Sequence, residues 1–250
     1  MFQGFYDLAS NMITQNRNLN VISNNMSNVS TPGYKMDRLM ESTFRDEMLY
    51  RYYDQGGKTP VGTVSRMNIA DERVTDYTEG GIRETGYPLD VGLTGNGFFV
   101  IQRDNGDEVY TRDGSFNLNN EGYLILPGTG RVLGTDGRPI QMDTDDITID
   151  SQGRITSAAD GRYFGTLDVV DFADYAQLTK VTGGVFQAAE APTAAGNAVV
   201  TQKFLEDSNV SLAEQMTAMM SSQRVLQGSA QILRMYDQMI SRATMLGGNN

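Results

Sequence analysis

The 250-residue chain contains neither histidine nor cysteine. It therefore lacks the commonest general base and the commonest metal ligand. Disulfides, thiol nucleophiles and thiolate metal sites are excluded with them, although a cysteine-free chain tolerates an oxidising exterior. Positive charge is scarce as well. Twenty Lys and Arg against 31 Asp and Glu leave a formal net charge of -11, which argues against nucleic acid or an anionic membrane surface as a partner. Long apolar runs are also missing. The longest candidate, Phe98-Phe99-Val100-Ile101, falls far short of the ~18 residues needed for a membrane span. Near the N-terminus Gln3, Asp7, Asn11 and Gln15 break up any apolar leader segment, which by itself reads as cytoplasmic. The length suits one large domain or two modest ones.

What is present begins with a helix. Phe5, Leu8, Met12, Gln15, Leu19, Ile22, Met26 and Val29 step by three and four, and only Gln15 is polar. That 3.5-residue period belongs to a helix built to lie along another helix. The spacing predicts that it stops at Thr31-Pro32-Gly33, because Pro32 has no N–H and pushes Thr31 out of the α region. Asn at positions 11, 16, 18, 20, 24, 25 and 28 costs about 0.6 kcal/mol each relative to Ala in a helix interior. Together they cost on the order of 4 kcal/mol, similar to the net stability of a small domain. Such a helix is expected to form only when other chains surround it.

Residues 36–56 carry apolar and aromatic positions whose spacing is divided between helical and extended, and Gly56-Gly57 with Pro60 marks a loop or hairpin tip. From about residue 61 the texture is that of strands. Asn105-Gly106, Asp113-Gly114, Asp136-Gly137 and Asp160-Gly161 are turn dipeptides, and Gly122 and Gly153 add breaks. Between them lie short runs over 97–102, 108–111, 115–118 and 122–126, the pattern of an antiparallel β domain. The last segment returns to helix. Ser211-Leu212-Ala213-Glu214 is a capping box, and Leu212, Met216, Met219, Gln223, Leu226, Ala230 and Leu233 again step by four and three, continuing less regularly through Tyr236, Ile240 and Ala243. Gly247-Gly248 supplies a stop. Met recurs at 216, 219, 220, 235, 239 and 245, and flexible thioethers suit surfaces that pack in slightly different environments. A single amphipathic helix cannot bury its stripe alone, so the two ends are expected to pair.

Three stretches resemble one family. Ile22-Ser23-Asn24-Asn25-Met26-Ser27-Asn28-Val29-Ser30-Thr31-Pro32-Gly33-Tyr34-Lys35 resembles the N-terminal signature of bacterial flagellar rod, hook and hook-associated axial proteins. Ser23 and Ser27 stand where that family usually has Ala. Leu89-Asp90-Val91, Gly95-Asn96-Gly97-Phe98-Phe99 and Tyr110-Thr111-Arg112-Asp113-Gly114-Ser115-Phe116 are similar to its middle signature, continued by Gly122-Tyr123-Leu124 and Gly137-Arg138-Pro139-Ile140. Leu205-Glu206-Asp207-Ser208-Asn209-Val210, with Glu214, Met216 and Arg224, resembles its C-terminal signature, except that Val225 and Leu226 replace the aromatic that commonly follows the Arg. The resemblance covers roughly the whole chain, with looser matches over 61–85 and 165–195.

The resemblance implies an α+β fold: an antiparallel β-rich middle domain with long N- and C-terminal helices paired as a coiled-coil-like core. It implies a core helix and exit turn over 1–35, a connecting arm or hairpin over 36–70, a β-rich outer domain over 71–200 and a C-terminal core helix over 201–250. The chain would be a proximal or distal rod subunit of the basal body rather than a hook subunit, whose middle region is usually larger. It would leave the cell uncleaved through the flagellar type III export apparatus, polymerise with itself and with other rod, hook and ring proteins, and transmit torque. Its assembly residues would be Phe5, Leu8, Met12, Leu19, Ile22, Asn24, Asn25, Met26, Asn28, Val29, Pro32 and Gly33, with Asn209, Leu212, Met216, Met219, Leu226, Leu233 and Ile240. The rival reading is a secreted or surface β-domain binding module on a helical stalk, which clustered aromatics would favour; Tyr50, Tyr52 and Tyr53 lie instead in the arm.

Catalytic readings fare poorly. Gly92-Leu93-Thr94-Gly95-Asn96-Gly97 has the wrong glycine order for a dinucleotide loop, and a strand follows where a helix N-terminus is needed. In Asp143-Thr144-Asp145-Asp146-Ile147-Thr148-Ile149-Asp150, Thr148 stands where a calcium loop needs its glycine; a solvated acidic edge is the simpler reading. No carboxylate is marked by an apolar setting, as glycoside hydrolysis would require, and Arg112-Asp113 reads as a hairpin corner. No enzyme, cofactor or metal is expected.

Overall fold

The computed structural model of the chain describes residues 2–52 and 58–247. It divides into two compact units, one built from Met1–Met26, Asp37–Thr75 and Leu212–Asn250 and the other from Ser27–Met36 and Asp76–Ser211. Terminal helices and a β-rich middle make the chain α+β.

The first unit holds helix α1 (Phe2–Ser27), helix α2 (Leu212–Gly247) and two long strands, β1 (Asp37–Tyr52) and β2 (Lys58–Thr75). Helix α1 ends at Ser27, short of Val29 and of the stop expected at Thr31. Ser27, Asn28, Ser30 and Thr31 are poor helix formers, and the Thr31 N–H instead donates to the Asn28 carbonyl at 3.2 Å in a tight turn. Helix α2 starts directly after Ser211, where the capping box places its first turn. Part of its expected stop, Gly248, lies outside the described residues, as do Tyr53 and the Gly56-Gly57 turn. No helix among the described residues is long and apolar enough to cross a membrane.

The segment with divided spacing is extended. β1 and β2 pair antiparallel from Asp37↔Thr75 to Tyr52↔Lys58. Leu49 faces Gly62 but Tyr50 faces Pro60, so Val61 is left over as a bulge. A proline has no N–H to give to a ladder and is tolerated where pairing is already broken.

The second unit is antiparallel throughout. Strands β3 (Ile82–Glu84), β4 (Val91–Thr94), β5 (Phe98–Gln102) and β6 (Glu108–Thr111) come first, and the main sheet is centred on β5, which pairs with β6, with Gly130–Val132 and with Val169–Asp171. β4 pairs with Val199–Gln202, and β3 with Phe204–Glu206. The acidic stretch contributes Ile147–Ile149, an edge strand of a separate three-stranded sheet. Alternation sorts the residues of β5 between two cores. Phe99 and Ile101 join Val91, Leu93 and Ile155 in one, while Phe98 and Val100 join Tyr110, Phe172 and Phe186 in the other. The turn glycines Gly106, Gly137 and Gly161 have positive φ as expected. Gly114 does not. A Cβ there would lie 1.8 Å from the Val91 carbonyl oxygen, so this glycine serves close backbone approach rather than a left-handed turn.

Candidate functional site

The residues named for assembly fall into two places, one in each unit. In the first unit α1 and α2 touch and run antiparallel. Asn18 Nδ2 donates to Ser222 Oγ at 3.3 Å, and Asn25 Nδ2 donates to Gln215 Oε1 at 3.3 Å. A Cβ at Gly4 would sit 2.9 Å from the Tyr236 hydroxyl oxygen. Seven residues along α1, from Asn18 to Asn25, are matched by seven back along α2, from Ser222 to Gln215. Stepping seven the other way pairs Asn11 with Ser229. Gln215, Ser222 and Ser229 are all buried, as are Thr14 and Asn25 on α1.

The seam between the helices therefore carries small and polar side chains beside the inner edge of the apolar stripe, and leaves the rest of that stripe outside. Along α1, Ile22 is buried, Leu8, Met12, Leu19 and Met26 are partly buried, and Phe5 and Asn24 are exposed. Along α2, Met219, Leu226 and Leu233 are partly buried, whereas Leu212, Met216 and Ile240 are exposed. Met220, Met235 and Met239 are each about half exposed (50%, 48% and 57%). Ile232, Met235, Tyr236 and Met239 line a shallow groove with Arg242. Asn25 does a second job: its amide donates to the Asp37 carbonyl at 2.8 Å and its Oδ1 accepts from the Asp37 N–H at 3.0 Å. One side chain thus ties the helix to the start of β1.

The second place is in the β unit, around the segment that leaves α1. Asn28, Val29 and Pro32 are partly buried there, and Gly33, Tyr34, Lys35 and Met36 are buried. Gly33 has φ +65° and its N–H donates to the Glu206 carbonyl at 2.7 Å. A Cβ on it would fall 2.3 Å from the Arg112 carbonyl carbon, so both the conformation and the space demand glycine. Val29, Tyr34, Met36 and Val210 form a small apolar cluster. Asn209 splints this segment. Its Oδ1 accepts from the Met36 N–H at 2.7 Å, and its Nδ2 donates to the carbonyls of Asp76 at 2.9 Å and Thr78 at 3.1 Å.

Beneath the segment lies an ionic junction that sequence reasoning missed. Lys35 and Glu206 are each 1% exposed and 2.6 Å apart. The other carboxylate oxygen of Glu206 meets buried Arg112 at 3.3 Å. Lys35 also donates to the Thr78 carbonyl at 2.9 Å, Arg112 to the Gly95 carbonyl at 2.7 Å, and the Gly80 N–H to Glu206 at 2.9 Å. Lys180 Nζ donates to the Lys35 carbonyl and sits 3.6 Å from the centre of the Tyr34 ring. Burial pushes the Lys35 ammonium below its ordinary pKa of 10.5; the Glu206 charge and hydrogen bond oppose that shift, and Arg112 adds to it. All three residues stand inside the family-like stretches. Nothing local marks them as neighbours, since 171 positions separate Lys35 from Glu206 and 94 separate Arg112 from Glu206.

This chemistry suits holding segments of the chain together. Each charged group at the junction is engaged with a carbonyl, an amide or an opposite charge. Asp113, whose pKa burial pushes up, accepts from the amide (2.9 Å) and hydroxyl (2.6 Å) of Ser115, which makes it a turn residue.

Comparison with known proteins meets the same three regions. Residues 5–35 match the model described as flagella basal body rod protein, residues 92–157 the flagellar hook protein FlgE/F/G D1 domain, and residues 201–246 the flagellar basal body rod FlgEFG protein C-terminal. The flagellar basal-body rod protein FlgG of Agrobacterium fabrum is 30% identical over 250 residues, covering 93% of this chain and 95% of that one. FlgG of Bacillus subtilis is 29% identical, over 98% of this chain and 99% of its own. The flagellar basal-body rod protein FlgF of Caulobacter vibrioides is 29% identical, over 93% of each. With both ends and the middle matched in order, and a relative aligned over nearly its full length, the chain belongs to the flagellar basal-body rod proteins of the FlgF/FlgG class.

Proposed function

We propose that this chain assembles through the outward apolar faces of its two terminal helices. It is a structural subunit of the bacterial flagellar basal-body rod, and its task is to lock to other subunits, not to turn over a substrate. The observation that supports this most is the inversion on α2: among the described residues the buried positions are Gln215, Ser222 and Ser229, while Leu212, Met216, Met220, Met235 and Met239 face solvent. Those exposed side chains gain little from their own chain and much from a neighbour. Packed beside equivalent helices, the pair becomes the coiled-coil-like core of a helical tube, along which torque passes from motor to hook. The methionines accommodate the slightly different surroundings of successive subunits. The β1–β2 hairpin serves as the arm to neighbouring subunits, because a two-stranded ribbon is marginal without other packing. Contacts with other rod, hook and ring proteins and passage through the flagellar type III export apparatus complete the reading.

The test places a charge on the helices. Leu19→Asp or Leu226→Asp is expected to stop incorporation into basal bodies while residues of about 70–195 stay folded and protease-resistant. Full motility and complete hooks in either mutant would refute the reading.

A further inference from the structure

The proposed assembly needs the apolar faces kept outward, and the chain carries a device suited to that. Asn11, Asn18 and Asn25 recur every seven residues on α1, and Gln215, Ser222 and Ser229 recur every seven on α2. Contacts at Asn18–Ser222 and Asn25–Gln215 place the two series face to face. Both helices hold an apolar stripe beside this seam that would bury more hydrophobic surface if it were turned inward. Met12 and Leu19 on α1, and Met216 and Leu212 on α2, lie on that stripe. Hydrophobic burial alone would favour such a rotation. A polar side chain at a helix–helix seam restricts the pair to arrangements that satisfy it, at a cost in stability.

We infer that the Asn11/Asn18/Asn25 and Gln215/Ser222/Ser229 ladder sets the rotational phase of the helix pair, so that the exposed part of the apolar stripes, with Phe5 on α1 and Leu212, Met216 and Ile240 on α2, stays outside the pair and is presented to a second copy of the chain. These six are positioning residues. They do not themselves meet the neighbouring subunit. The inference rests on the assembly reading above, but it makes a separate claim about which helix faces meet inside one chain.

The absence of cysteine makes the test direct, because any engineered pair reports alone in the full-length protein. One pair, Asn11→Cys with Ser229→Cys, probes the seam. The other, Met12→Cys with Ala230→Cys, probes the stripe-to-stripe arrangement. Under mild oxidation of the purified chain the seam pair is expected to close about tenfold faster than the stripe pair. In the background Asn18→Ala with Ser222→Ala that preference should fall to about threefold or less, as one partly buried hydrogen bond is removed. Incorporation into basal bodies should fall with it. Exchanging the partners, Asn18→Ser with Ser222→Asn, should restore both. Equal closure of the two pairs in the native background, failure of both to close, or an unchanged preference in the alanine background would overturn the inference. A loss that the exchanged pair does not rescue would overturn it too. Normal incorporation of Met216→Ser with Met220→Ser, both about half exposed, would instead sink the assembly reading and leave the disulfide ratio as it was.

Discussion

Among the described residues the two units bury different mixtures of side chains. In the β unit Phe99, Ile101, Leu93 and Phe186 are wholly inside, and the buried charges Lys35, Glu206 and Arg112 are held against each other. In the helical unit the buried positions of α2 among the described residues are Gln215, Ser222 and Ser229, while Met216, Met220, Met235 and Met239 look outward. The first arrangement is complete within one chain. The second leaves its largest hydrophobic gain unrealised until something covers it. The difference teaches that a subunit can divide the work: one part supplies a rigid body, the other supplies an interface whose own cohesion is weak.

The sharpest way to break this contrast is to unbalance the ionic junction. Glu206→Ala leaves Lys35 and Arg112 as buried cations without their carboxylate, and is expected to lower the stability of the β unit by about 3–5 kcal/mol. Urea unfolding followed by near-ultraviolet tyrosine signal should show it; a change below about 1 kcal/mol would mean the junction is not tightly packed.

A medium effect is expected with pH. The Tyr175 hydroxyl donates to Asp171 at 2.7 Å, and burial, then that hydrogen bond and the Asp171 charge, push its pKa from 10.0 up to about 12. The folded chain keeps this proton after the unfolded chain has released it. Stability from Tyr175 is therefore full below pH 10 and is lost as pH rises through about 12. Tyr175→Phe should cost about 1 kcal/mol near neutral pH and should unfold with a shallower alkaline slope than the native chain. Parallel slopes for the two proteins would contradict the assignment.

The smallest effect sharpens the comparison from the other side. Met216→Ser with Met220→Ser removes side chains that are each about half exposed (49% and 50%). It should change the stability of the isolated chain by no more than about 0.5 kcal/mol. The same pair should nevertheless reduce basal-body incorporation clearly, as scored by rod content in preparations from a complemented strain. A large loss of monomer stability would place these methionines in an internal core instead.

Much of the fold is legible in short stretches of chain. The capping box at Ser211 locates the start of α2, and Asn105-Gly106, Asp136-Gly137 and Asp160-Gly161 locate turns, because each acts within a few residues of itself. The divided spacing over 36–56 favours neither helix nor strand, and pairing of β1 with β2 settles it, since an extended strand is stabilised by its partner and not by its own residues. Val29 continues the spacing of the helical stripe, yet it packs with Tyr34, Met36 and Val210 after α1 has ended. Arg112 reads in the sequence as an ordinary residue beside a turn, and only folding brings it to Glu206.

The sequence by itself determined where the chain is helical, where it turns, which chemistries it lacks and which family signatures it bears. Those properties are written in local spacing, in turn residues and in composition, all of which act over short stretches of chain. The tertiary structure decided which face of each helix turns inward and which distant charges share a buried site. Both depend on what lies opposite: a heptad of asparagines becomes a seam only when Ser222 and Gln215 arrive across from it, and Lys35 can stay buried only because Glu206 is there to receive it.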